Sequence, residues 1–379
     1  MPDIQAVNGV AGASIQAVNG VGVADIQAVN GLDVPSGASG ATVWVVVQDD
    51  RNVAYASESD TTSWTEYDSR DSTPPSGTVA FIHLAYGKDA ADGNPIYVAS
   101  YEAGNAEISY SSDPTNDQEW SITNTVVGGG DWPATKWIWA LAWGDGFWFA
   151  AGKNSSGSES IMTSTNGSAW TEVDLSSDSS LTSAGIYGLT TNGTGTWWFA
   201  QQNRIYKATD DGSGNFSWSL RHTLLDSSDA DPGDIRGLFF TNNSLVAWVD
   251  ANPALIFSCA VSDDTDWSDE TACNTAHNVN HNTQMFAASG RFIAVDDQRY
   301  WAADISGKSI TLEHDKVLFG GTHGNANCVA SDGTGKWMVG CVDGDVLRST
   351  DDGDNWSIVA TNVASEQMES IVGNVYLPL

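Results

Sequence analysis

"STNGSAW" at Ser164–Trp170 and "STDDGDNW" at Ser349–Trp356 state one phrase twice, and that phrase decides the fold. In each copy a hydroxyl and an Asp or Asn side chain can accept hydrogen bonds from N–H groups of their own turn. A glycine supplies the positive φ of a tight hairpin. The tryptophan that follows opens a new strand with a ring large enough to wedge between sheets. Weaker versions end at Trp64 ("SESDTTSW"), Trp120 ("SSDPTNDQEW"), Trp218 ("TDDGSGNFSW") and Trp267 ("SDDTDW"). Successive tryptophans up to Trp267 lie 56, 50, 48 and 49 residues apart. The 89 residues from Trp267 to Trp356 then span two intervals with one Trp missing. The vacant place falls at "ISGKSITLE", Ile305–Glu313, where Ile310 is the expected substitute.

Seven units of this length, each with several short β runs, mark a propeller. The third unit reads "WIWALAW" (137–143), "FWFAAG" (147–152), "SIMTS" (160–164), the turn, and "AWTEVDL" (169–175). The seventh reads "ANCVAS", "KWMVGCV", "DVLRST", the turn, and "NWSIVAT". The first unit has only three runs, "ATVWVVVQ" (41–48), "NVAYASES" (52–59) and "SWTEYDS" (63–69), while "MESIVGNVYLPL" (368–379) is left over at the C-terminus. A ring closed by pairing its last strand with its first blade has no exposed edges. The expectation is therefore an all-β, seven-bladed β-propeller of four-stranded blades over residues 41–379. The C-terminal strand closes it, and an extended arm, residues 1–40, precedes it.

The composition narrows the function. Fifteen Lys and Arg stand against 48 Asp and Glu, a net charge of −33, which repels nucleic acid and anionic membranes and favours solubility. No apolar run reaches the roughly 18 residues of a membrane span. The opening "MPDIQAVNGV" lacks the basic and apolar regions of a secretory signal. Of the four cysteines, Cys259 and Cys273, and Cys328 and Cys341, bracket hairpins, which allows disulfides; buried thiols are the plainer expectation.

The turn phrases resemble the Asp-box, or BNR, repeat S-x-D-x-G-x-x-W of sialidase-like and photosystem-assembly-type propellers. Ser349, Asp351, Gly353 and Trp356 fill its positions, and Ser164, Asn166, Gly167 and Trp170 come close to them in a copy one residue shorter. In that family the motif is structural and lies away from the central site. The resemblance also raises sialidase chemistry, which needs three arginines around a carboxylate, a Tyr–Glu nucleophile pair and an acid Asp. Its first arginine sits in an Arg-Ile-Pro phrase, and none of the eight arginines here is followed by Ile-Pro. Only Arg236, in "DIRGLFF", lies near the start of an inner strand.

No catalytic residue, metal site or cofactor is expected from the remaining motifs. Most acidic residues sit in turns such as "DDGD" and "SDDTDWSDE", and Ca²⁺ is the one ion such loops would suit, although no EF-hand ladder is present. His277, His281 and His323 lie in connections that emerge on one propeller face near the axis, as do Trp132, Trp137 and Tyr187. Together with Arg236 they make that face the candidate binding surface. Its exposed rings suit stacking on sugars, against the plainer alternative of packing between blades.

The arm writes "IQAVNG" three times, with Ile4, Ile15 and Ile26 in an 11-residue step. Each copy is too short for a core of its own, so Ile4, Val7, Ile15, Val18, Ile26 and Val29 read as anchors that dock on a partner. The phrase is similar to I-x-x-V-N-G-V repeats in the N-terminal regions of tail-fibre and other virion proteins of marine tailed phages. That resemblance implies a non-enzymatic virion protein, a tail appendage or capsid decoration. It would assemble in the host cytoplasm within a symmetric particle, attach through its arm to other virion proteins, and display the propeller toward a host-surface glycan or protein. A glycan-binding or sialidase-like propeller is the alternative, and a photosystem-type assembly factor a third.

Overall fold

The structure, a computed structural model, describes residues 17–18, 21–22, 28–29, 32–33, 43–48, 52–68, 80–102, 108–114, 120–123, 137–153, 159–173, 175, 181, 184–210, 216–251, 253–268, 271–272, 284–296, 298–318, 324–364 and 367–373. From Val43 onward the strands form seven four-stranded antiparallel sheets, each wound outward in chain order, with one exception. Blade one takes its inner strand, Met368–Gly373, from the C-terminus. That strand pairs antiparallel with Val43–Gln48, followed outward by Asn52–Ser57 and Asp60–Asp68. The spare C-terminal segment therefore closes the ring as its position demanded.

The second strands of the blades hold six of the seventeen tryptophans. Runs such as Val43–Gln48, Phe147–Lys153, Thr196–Gln201 and Ser244–Asp250 are apolar on both faces because neighbouring blades cover both. Trp44, Trp148, Trp197, Trp198, Trp248 and Trp337 lie on these strands and are fully buried. Trp170 is equally buried, in the cluster between blades two and three.

The repeated turn phrase has one geometry. The Trp170 indole donates to the Gly167 carbonyl at 2.9 Å, and Trp356 to Gly353 at 3.0 Å. The weaker copies at Trp64 and Trp267 make the same bond three residues back, to Thr61 and Asp264. Trp120 departs from the pattern and donates to the Tyr67 hydroxyl of blade one. Within the turn, Asn166 Oδ1 accepts from the N–H groups of Ser168 and Ala169. Asp351 Oδ1 accepts from Asn355 N–H, and this bond and those from the Asn355 and Ser349 side chains hold its carboxyl below the ordinary range. Blade six lacks the tryptophan; there Ile310 pairs with Ile305 across a short hairpin and packs against the cluster between blades five and six.

These turns join the third and fourth strands, and described ones reach back to the preceding blade. Gly167 has φ 68°, and a Cβ there would meet Val98 of blade two at 2.9 Å. The turn of blade one places Glu58 against Lys336 and Arg348 of blade seven, both at 2.6 Å. Asp354 of blade seven meets Arg291 of blade six at 2.7 Å. Asp264 of blade five accepts from Arg221, Lys207 and Trp198 of blade four. Burial alone would raise the Asp264 carboxyl, but those three donors outweigh it and hold it below the usual carboxylate range. A chain with 15 basic residues has stationed several of them at blade seams.

Cys259, Cys328 and Cys341 are buried free thiols, so the 328–341 disulfide that hairpin spacing allowed does not form. Cys328 lies opposite Gly340, while Cys341 is paired with Ala326. Burial raises the Cys259 thiol to about 12. Cys273 falls outside the described residues.

In the arm, Ala17–Val18 pairs antiparallel with Val21–Gly22, and Ala28–Val29 with Leu32–Asp33. Val18 and Val29 belong to these strand pairs; Ile4, Val7, Ile15 and Ile26 lie outside the described residues.

Candidate binding mouth of the propeller channel

The inner strands of all seven blades line one cavity of about 1200 Å³. All seven start from the same face, so their first residues form one mouth. At that mouth six of the seven strands carry the same irregularity. Register shifts fall between Phe81 and His83, Ile138 and Ala140, Ile186 and Gly188, Ile235 and Gly237, Ala326 and Cys328, and Met368 and Ser370. A bulge leaves one residue out of the ladder and re-aims its side chain. The residues left out are Ile82, Trp139, Tyr187, Arg236, Asn327 and Glu369, and the last five line the cavity.

The re-aimed side chains form two arcs. On blades three to five, the Trp139 and Tyr187 rings stack at 4.3 Å and 19°. The Arg236 guanidinium lies over Tyr187, 4.2 Å from the ring centre. Arg236 is anchored to two carboxylates that face each other across the blade-five ladder, Asp250 at 3.3 Å and Asp234 at 3.5 Å. Gly185 supplies the seat of the stack, since a Cβ there would run into the Trp139 ring. On blades seven and one, Glu369 accepts from the Gln367 amide at 2.7 Å and from Asn327 at 3.3 Å. Asn327 is buried and also donates to the Met368 carbonyl at 2.7 Å.

Below this mouth the cavity wall turns apolar with Leu84, Leu141, Leu189, Leu238 and Phe286, and ends in hydroxyls and amides such as Thr191, Asn243 and Ser331. His83 lines the wall beside the bulge of blade two. Desolvation inside the ring pulls it down to about 4, so it is neutral near pH 7.

Of the residues singled out from sequence, Tyr187 and Arg236 meet at the mouth. Trp137 opens the inner strand of blade three opposite Lys153. Trp132, His277, His281 and His323 lie outside the described residues. Sequence reading missed Trp139, Asn327, Gln367 and Glu369. A usable signal was present: a four-residue phrase of buried residue, variable residue, small residue and aliphatic. It recurs as Ile138-Trp139-Ala140-Leu141, Ile186-Tyr187-Gly188-Leu189, Ile235-Arg236-Gly237-Leu238 and Met368-Glu369-Ser370-Ile371. Among the described arginines only Arg236 lines the channel. Among the described residues no group of three His, Cys, Asp or Glu side chains is placed to hold a metal ion.

No protein-family model and no curated protein sequence matches the chain. Solved structures do share its fold. The chain is similar to the Pseudomonas aeruginosa periplasmic gluconolactonase PpgL, with 10% identity over 89% of this chain and 100% of that one and a TM-score of 0.57. It is similar to a Bacteroides fragilis NCTC 9343 protein provisionally named a 6-phosphogluconolactonase, with 12% identity over 89% and 99% and a TM-score of 0.61. YCF48 bound to a D1 peptide matches at 14% identity over 78% and 86%, with a TM-score of 0.51. At these identities the likeness shows the propeller fold alone.

Proposed function

We propose that the chain is a non-enzymatic recognition subunit of a virion-type particle, tethered by its three repeats and presenting the bulge-lined mouth to a surface ligand. The observation that carries this reading is the mutual commitment of the polar groups at the mouth. Arg236 is held by Asp234, Asp250 and Tyr187, and Glu369 by two amides. Groups tied in this way keep a fixed shape and suit binding better than proton transfer. The repeated strand pairs of the arm add the tether: identical short units favour identical or symmetry-related docking sites, and linked copies gain by effective concentration.

Two of the similar structures carry gluconolactonase names, and a lactone hydrolase is the competing reading. Particles assembled with the full chain or with Trp139→Ala are expected to hold equal amounts of it, while the variant adsorbs to cells at least tenfold more slowly. A chain lacking residues 1–40 is expected to fold and stay unincorporated. Unchanged adsorption, or full incorporation without the arm, overturns the proposal. Hydrolysis of glucono-δ-lactone by the purified chain, lost in Glu369→Gln, would replace it with the hydrolase reading.

A further inference from the structure

The charge balance at the mouth says what kind of ligand it takes. Asp234, Asp250 and Glu369 bring three carboxylates and Arg236 one guanidinium, already shared between Asp234 and Asp250. The rest of the protein deepens the negative field, with a net charge of −33. Among the described residues of the mouth arcs, a ligand bearing a carboxylate or phosphate would therefore meet like charge and no uncommitted cation. Two like charges about 6 Å apart in a site of effective dielectric about 20 repel strongly enough to cost roughly 100-fold in affinity.

What the mouth does offer suits hydroxyl groups. The Glu369 carboxylate accepts hydrogen bonds, and the Gln367 amide both donates and accepts. Opposite them, Trp139 presents aromatic surface that is fixed before any ligand arrives, seated on Gly185 and on Tyr187, whose ring Arg236 also covers. A saccharide ring combines a C–H face for aromatic contact with an edge of hydroxyls for carboxylates and amides. A cavity of about 1200 Å³ has room for more than one such ring.

We infer that the mouth binds an uncharged saccharide, bridging the aromatic arc of blades three and four and the amide–carboxylate arc of blades seven and one, and that it discriminates against acidic sugars. This rests on the mouth being the recognition site, and it separates the protein from sialic acid and phosphosugar binders.

The test uses matched pairs that differ by one carboxylate: methyl glucoside against methyl glucuronide, and methyl galactoside against methyl galacturonide. Binding to the full chain is measured by calorimetry and ligand-observed NMR at low ionic strength. At least one neutral glycoside is expected to bind saturably, with its uronide weaker by about 100-fold. Trp139→Ala and the near-isosteric Glu369→Gln should each lower neutral-sugar affinity at least tenfold with the melting temperature kept. Asp234→Asn should narrow the gap between the pair. Mouth-dependent binding that favours the uronide overturns this inference and leaves the recognition site standing. Failure of every glycoside to bind at millimolar concentration, or binding indifferent to both mouth variants, overturns it as well.

Discussion

Trp170→Ala tests how the propeller holds its blades together. The ring is fully buried between blades two and three, and its indole N–H is bonded to the Gly167 carbonyl. Burying a tryptophan removes about 150–250 Å² from water, worth roughly 4–6 kcal/mol at 25 cal/mol per Å². That is an upper bound, because unfolded chains already shield part of such surface. The latch adds about 1 kcal/mol. A loss near 4 kcal/mol is therefore expected, in line with large-to-small aromatic substitutions in other cores. Trp356 makes the same latch but is only half-buried, so Trp356→Ala should cost about half as much. Trp170→Phe keeps most of the area and loses the latch, and should cost about 1–2 kcal/mol. Urea unfolding followed by far-UV circular dichroism measures all three, with the slope checked for constancy. Equal losses at Trp170 and Trp356, or less than about 1 kcal/mol at Trp170, would refute the reasoning that burial sets the scale.

His83 has a folded-state value of about 4 against 6.5 unfolded, so between those values the unfolded chain binds more protons and stability falls as pH is lowered. The loss is at most about 3 kcal/mol, and His83→Gln should flatten the profile between pH 6.5 and 4. Glu58→Gln takes the carboxylate from Arg348 at the closing seam, while Lys336 keeps Asp332, and should cost about 2 kcal/mol in thermal or urea unfolding. Most of that loss should persist in 1 M NaCl, whereas the wild type should gain stability between 10 mM and 200 mM salt as its net charge of −33 is screened. Deleting residues 368–379 removes the buried Met368 and Ile371 and the strand that pairs with Val43–Gln48. Calorimetry should then show loss of the whole cooperative transition; a full-size peak at the wild-type temperature would mean that closure lies elsewhere.

What sequence made legible was whatever repeats with a local cause. The turn phrase needs only its own hydroxyl, glycine and tryptophan, and so blade number, blade order and the closing strand followed from spacing. The Ile310 substitution was also readable, because a vacancy in a period points to a place. The mouth was only partly readable. Arg236 stands out by its strand position, but nothing in "WIWALAW" separates Trp139 from the other aromatics of that run, and Glu369 and Asn327 come from segments some forty residues apart in sequence. Their meeting depends on ring closure and on bulges, and a bulge is a mismatch between two strands that neither strand shows alone.

The bulges have a consequence for how this protein can change. A side chain in a regular ladder answers to its partners across the sheet, and altering it disturbs the packing between blades. Ile82, Trp139, Tyr187, Arg236, Asn327 and Glu369 stand outside that pairing, while neighbours such as Ile138, Ile186, Ile235 and Met368 remain fully sunk in the core. Isoleucine, tryptophan, tyrosine, arginine, asparagine and glutamate thus occupy equivalent places on one scaffold. Six positions contributed by six blades form a vocabulary that can be rewritten one word at a time, while the grammar of the ring stays the same.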